Sequence, residues 1–197
     1  QLTDAEKLRV ALAVLLLAPS PPLLFMGEEF GADTPFLFFC DFGPDLAAKV
    51  TDGRRSEFAR FAQFSSAEAQ ARIPDPGSRE TFMRSKLDWA SLQMSSHIQW
   101  LQFYRGLLSF RQKEIVPLVS KISRGTAKFE VIAGEAVSVK WQLTSGQSLE
   151  MIANFSSSAV GLPIPQGKLL YTTAEDHASI ANGTQLAAVC GAWFLST

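Results

Sequence analysis

The sequence predicts an α/β segment followed by a small antiparallel all-β domain, and three observations carry that expectation. Residues 7–17 are aliphatic around nearly the whole circumference of a helix, and after a proline break "LLFM" at residues 23–26 is a short continuous apolar run. Helix, break and buried run is the rhythm of an α/β layer, in which a parallel strand is covered on both faces. After Pro117 the apolar period shortens to that of strands. With 197 residues and 47% hydrophobic side chains, the chain can build one large core or two small ones.

The first helix is expected over residues 3–17, because Thr3, Asp4, Ala5 and Glu6 form a capping-box pattern. Pro19, Pro21 and Pro22 end it and divide an apolar stretch that would otherwise be long enough to cross a membrane. No basic segment precedes that stretch, so no signal peptide is read and the expected location is cytoplasmic. The helix should be covered on most sides. Residues 23–26 read as a buried strand, and no further buried parallel strand follows. The chain, opening on Gln1 directly at a helix cap, therefore reads as the end of an α/β domain whose partner is an N-terminal part of the same polypeptide.

Residues 31–95 form a long connection rich in Asp, Gly, Pro, Arg and Phe, with one short helical stripe at Phe58, Phe61 and Phe64. A second capping-box pattern at Ser96 to Gln99 opens a helix marked by Ile98, Leu101, Tyr104, Leu107 and Leu108 and ending near Gln112. Strands are expected at residues 129–132, 136–143, 149–155, 168–173 and 192–195, with turns at Gly134, Ser145-Gly146 and Asn182-Gly183. The domain boundary falls between residues 117 and 118, giving an α/β part at 1–117 and a β domain at 118–197.

Lysine plus arginine (18) nearly balances aspartate plus glutamate (19), and no basic run could follow a phosphate backbone, so nucleic acid is not an expected partner. Cys40 and Cys190 have no metal-ligand or redox spacing, and neither a metal nor an organic cofactor is expected. His97, in the first turn of a helix, and His177, in a loop, read as ordinary surface or capping residues. There is no glycine-rich phosphate loop and no nucleophile elbow.

The candidate chemistry lies in "PLLFMGEEFG" at residues 22–31. If residues 23–26 are a barrel strand, Glu28 and Glu29 emerge at its carboxyl end, the functional face of such a barrel. Adjacent residues in an extended segment point to opposite sides, so at most one glutamate faces a ligand. Glycosidase carboxylates must face each other across about 5 Å or more, which Glu28 and Glu29 cannot do as neighbours. Contact with a ligand and pairing with an arginine both remain open for them. Arg55, in "GRRSEF", either clamps a substrate hydroxyl or braces a carboxylate. Phe36, with Phe38 and Phe39, is a candidate subsite wall, and Trp89 offers either a stacking surface for a sugar ring or a hydrophobic plug.

"PLLFMGEEFGADTPFLFFCDF", "GRRSEFARF", "IPDPGSRETFMRSKLDW" and "FYRGLLSFRQ" together resemble the C-terminal portion of the malto-oligosyltrehalose trehalohydrolases, a family of the α-amylase clan. The resemblance covers residues 8–117 most closely. It implies the last part of a (β/α)8 barrel, with helix seven at residues 3–17, strand eight at 23–26 and helix eight at 96–112, followed by a β-sandwich domain. It implies hydrolysis of the α-1,4 bond next to the terminal trehalose of a maltooligosyl trehalose, releasing trehalose. The clan's catalytic aspartates and glutamate have no counterpart here, so no catalytic residue is assigned and the chain by itself is expected to be inactive. The resemblance implies that Glu29, and secondarily Glu28, is a rim residue that positions loops or sugar, and with Phe36, Arg55 and Trp89 these are the candidate substrate-binding residues. Two other readings stay open: a branching enzyme of the same clan, and a non-catalytic carbohydrate-binding or structural protein.

Overall fold

In the computed structural model, the structure describes residues 3–174, 180 and 184–196. The helices, in chain order, are α1 (Ala5–Leu17), α2 (Pro44–Phe58), α3 (Ala67–Ala71), α4 (Arg79–Ser85), α5 (Ser95–Phe110) and α6 (Val116–Val119). The strands are β1 (Lys128–Ile132), β2 (Ala136–Gln142), β3 (Ser148–Asn154), β4 (Val160–Gly161), β5 (Lys168–Thr172), β6 (Gln185–Leu186) and β7 (Cys190–Ser196). Packing groups residues 1–23 and 103–197 into one unit and residues 24–102 into another.

In the first unit, β1-β2-β3-β7-β5 form one antiparallel sheet and β4-β6 a separate two-stranded ribbon. The five runs expected as strands all lie in the larger sheet. The two-residue strands β4 and β6 are too short to carry a period and were not anticipated. A short connection joins β1 to β2, with Ile132 opposite Ala136, and Ala133 and Gly134 within it both take positive φ to reverse the chain. Ile152, Ala192 and Phe194 on one face of the sheet join Val160, Leu162 and Leu186 in a continuous core. Asn154 closes it from the end of β3. Its amide N–H groups donate to the carbonyls of Ser158 (2.8 Å), Leu186 (3.3 Å) and Ala187 (2.8 Å). Its Oδ1 accepts from the N–H (2.9 Å) and hydroxyl (2.8 Å) of Ser156.

Helix α1 packs against β7 on the opposite face of the sheet. A methyl group at Gly191 would stand 3.0 Å from the Trp193 ring and 3.5 Å from Val10, so the glycine lets the helix approach closely. Asp4, one residue after the expected cap, accepts from the Lys7 N–H at 2.7 Å. At the other end, Arg111 donates to the carbonyls of Leu16 (2.9 Å), Ala18, Pro19 (3.3 Å) and Ser20 (2.9 Å), satisfying acceptors that the helix end leaves open. Cover on most sides was expected for this helix, but it is one-sided: Val10, Ala13, Leu16 and Leu17 are buried, whereas Leu8 and Leu15 remain exposed. The sheet covers one stripe of a helix whose sequence is apolar on every side.

One pair on the sheet titrates in a predictable direction. Lys140 Nζ lies 2.8 Å from a Glu150 oxygen that also accepts from Ser148. Burial pushes the Glu150 carboxyl up, but the hydrogen bonds from Lys140 and Ser148 and the Lys140 charge outweigh it, and the net value is below that of an ordinary glutamate. A depressed carboxyl stabilises the fold above its unfolded pKa of about 4.3 and loses that contribution as pH falls. Lys140→Met is therefore expected to cost under about 1 kcal/mol at neutral pH and to flatten the acid limb of the urea midpoint against pH.

Two expectations are corrected in this part of the chain. The run at residues 23–26 is not a buried strand: Leu23 and Phe25 are 90% and 51% exposed, and no described strand pairs with them. A strand buried on both faces needs neighbours to take its N–H and C=O groups. Here the Phe25 carbonyl instead accepts from the Glu28 N–H at 3.2 Å and begins a turn. The long connection at 31–95, read with one short helical stripe at Phe58, Phe61 and Phe64, instead contains three helices, α2, α3 and α4, and α2 ends at Phe58. Pro44 opens α2 at a position that wastes no N–H, and Ser66 and Ser78 accept hydrogen bonds at the starts of α3 and α4. The Asn182-Gly183 turn and His177 lie outside the described residues. Among the described residues no helix is long and apolar enough to cross a membrane.

Candidate functional site

The two glutamates sit on a compact turn within the second unit. Gly27 (φ 90°) and Gly31 (φ 66°) take left-handed conformations on either side of a single 3-10 turn, Glu28–Phe30. Both glycines are required. A Cβ at Gly27 would lie 2.7 Å from Leu87 Cδ2 and 3.0 Å from Ala32 Cβ, and one at Gly31 would lie 3.2 Å from the Trp100 ring. The segment is therefore not extended, and Glu28 and Glu29 project about a third of a turn apart instead of to opposite sides. Glu29 Oε2 accepts from the Gly27 N–H at 2.9 Å, so this carboxylate helps to close its own turn.

Helix α5 holds the turn by two side chains one turn apart. Trp100 Nε1 donates to the Glu28 carbonyl at 2.9 Å, and His97 Nδ1 lies 2.7 Å from the Phe30 carbonyl, which makes that nitrogen the protonated donor. His97 is only 6% exposed, and its Nε2 lies 4.0 Å from the carboxylate of the exposed Asp33. This corrects the reading of His97 as a surface or capping residue. The signal available in the sequence was its place in the stripe 97, 100, 104 and 107, which continues through the buried Tyr104 and Leu107.

The aromatic candidates surround this turn. Phe30 is buried, with Trp89 5.6 Å and His97 6.1 Å away between ring centres. Trp89 itself is 58% exposed and begins a 3-10 segment capped by Asp88. Phe36 meets Phe25 edge-on at 4.9 Å and Phe39 at 5.6 Å, and Phe39 continues to Phe82 at 5.0 Å. Phe38 between them has φ 59°, a left-handed conformation that is costly for a bulky side chain. The Arg54 guanidinium stacks over both Phe38 (4.9 Å) and Phe58 (4.5 Å).

Arg55 occupies a different setting on α2. It lines a shallow cleft with Thr51, Asp75 and Gly77, and its Nε is buried without a hydrogen-bond partner among the described residues. The Gly77 N–H and the Thr51 hydroxyl hold the Asp75 carboxyl below the usual aspartate range, and the Arg55 charge adds to that effect. Among the described residues, no cluster of His, Cys, Asp or Glu could hold a metal ion.

Residues 124–192 match a family model described as a domain of unknown function (DUF3459). The chain is 34% identical over 184 residues to a malto-oligosyltrehalose trehalohydrolase of Deinococcus radiodurans and 33% identical over 180 residues to that of Rhizobium sp. (strain M-11). These alignments take in 87% and 91% of the chain, which spans 28% of the length of each relative. A Salmonella typhimurium crystal structure assigned as an alpha amylase superposes over the whole chain with a TM-score of 0.83 at 39% identity, and the match covers 31% of that protein. A trehalulose synthase superposes with a TM-score of 0.56 at 16% identity, a likeness of fold alone. Over nearly nine tenths of its length the chain is thus similar to a C-terminal portion of the malto-oligosyltrehalose trehalohydrolases.

Proposed function

We propose that this chain is part of a glycoside hydrolase that cleaves the α-1,4-glucosidic bond next to the terminal trehalose of a maltooligosyl trehalose, releasing trehalose. In this reading residues 1–117 belong to the catalytic barrel and residues 118–197 to the C-terminal β domain. The observation that carries it is the 33–34% identity to trehalohydrolases across nearly nine tenths of the chain. The exposed Leu23 to Met26 run supports it, since this is the apolar surface that the remainder of a barrel would cover.

The chain's own contribution is one wall of the substrate cleft. Glu29, assisted by Glu28, accepts hydrogen bonds from sugar hydroxyls on a turn whose backbone is fixed from α5. Phe36 and Trp89 present ring surface, and Arg55 braces the neighbouring loop at Asp75. Bond cleavage by two facing carboxylates resides elsewhere in the whole protein.

The test is carried out on the full-length protein. Trehalose release from maltooligosyl trehalose is expected, together with none from the 197-residue chain alone. Glu29→Ala in the full-length enzyme should raise KM about tenfold, the loss of one charge-assisted hydrogen bond, with kcat little changed. Transfer of α-1,6 branches to amylose without trehalose release would overturn the assignment.

A further inference from the structure

Strand β1 is the outer strand of the sheet. β2 pairs with one of its sides, and no strand among the described residues pairs with the other. Its outward N–H and C=O groups form a template for another strand. Lys128, Phe129, Glu130 and Val131 are all exposed, Phe129 at 77% and Val131 at 60%. Phe129 and Val131 share a face and stand opposite Val139 and Val137 of β2, which makes an apolar strip at the sheet edge. On the other face, Lys128 and Glu130 have no ion-pair partner among the described residues. Lys128 stands opposite Lys140, whose ammonium is already committed to Glu150 at 2.8 Å, so its inner neighbour is a like charge.

We propose that β1 pairs antiparallel with β1 of a second copy of this chain, across a two-fold axis at Phe129. Residues facing each other across such an axis lie on the same face of the joined sheet. With the axis at Phe129, that ring faces the partner's Phe129, Lys128 faces the partner's Glu130, and Glu130 faces the partner's Lys128. An axis at Lys128 or Glu130 sets like charges against each other, and one at Val131 forms neither ion pair. The charges therefore select one register. Edge strands are commonly defended by charge, and a lone lysine would oppose a copy of itself. Opposite charges two residues apart are instead self-complementary. Five residues on each side bury far less than the roughly 800 Å² per partner of a standard interface, so the dimer is weak and concentration-dependent.

Sedimentation velocity on the full-length protein, from micromolar to millimolar concentration, reads the association directly. A dimer fraction that rises with concentration and falls with added salt is expected. Lys128→Glu and Glu130→Lys should each raise the dissociation constant at least tenfold, because each sets two like-charge pairs face to face. The double variant restores both pairs with signs reversed, and so does an equimolar mixture of the two single variants. All these side chains are exposed, and circular dichroism checks that the fold is kept. A protein that stays monomeric at every concentration, or a dimer indifferent to the charge swaps, overturns the proposal.

Discussion

Replacing Asn154 with aspartate is expected to destabilise the β domain by about 3–5 kcal/mol, the range for leaving a buried charge uncompensated. Asn154 is fully buried, and its two amide hydrogens serve three carbonyls, those of Ser158, Leu186 and Ala187. Aspartate is the same size but has no N–H. It sets a carboxylate against those carbonyl oxygens, and a proton taken up at neutral pH supplies at most one donor. The Ser156 N–H and hydroxyl still find an acceptor, so the loss is confined to the bonds that tie the end of β3 to Ser158 and to Leu186 and Ala187 at the end of β6. For a protein of this size the melting temperature should fall by roughly 10 °C. Ser156→Ala removes a single donor and should cost about 1 kcal/mol. Thermal unfolding followed by tryptophan fluorescence separates the two, and equal costs would show that the amide is not the anchor of this corner.

What the sequence disclosed follows from the range of the forces involved. The β runs were legible because Ala136–Gln142 and Cys190–Ser196 carry their own apolar pattern, with turn residues at their ends. Helix α1 was legible for the same local reason. Helix α2 was not, because none of its residues is buried and Gly53 interrupts it, so no apolar stripe marks it. Its one local sign was Pro44 after Gly43, the residue type that suits a first helical turn. The run at residues 23–26 has the composition of a buried strand, but composition cannot supply hydrogen-bond neighbours, and none of the described strands provides them. The helical stripe could have marked His97 as buried, but not its acceptor, the Phe30 carbonyl, which lies 67 residues away. The position of Glu28 and Glu29 between two glycines was visible, but the turn they make was not. It depends on Leu87 and Trp100 filling the space that a side chain at Gly27 or Gly31 would need.

That dependence makes Gly27→Val the second large effect. At φ 90° a β-branched side chain costs about 1–2 kcal/mol in backbone strain alone. Its first carbon would also stand 2.7 Å from Leu87 Cδ2 and 3.0 Å from Ala32 Cβ, and relieving that overlap adds about 1–3 kcal/mol. The Gly27 N–H is held by Glu29, and its carbonyl accepts from the Ala32 N–H at 2.9 Å, so strain at this residue displaces the carboxylate directly. In the full-length enzyme the expected result is a KM raised well beyond tenfold together with a lowered melting temperature. Gly53→Ala is the control: Gly53 lies on exposed α2 with nothing within 4 Å of an added Cβ, so the change should be neutral or stabilising by up to about 1 kcal/mol. The comparison separates two roles for the turn. If Gly27→Val lowers stability but leaves KM unchanged, the carboxylate turn is a structural element and the cleft wall lies elsewhere. If KM rises at a temperature where the variant is fully folded, the geometry of Glu28 and Glu29 is itself what the substrate reads.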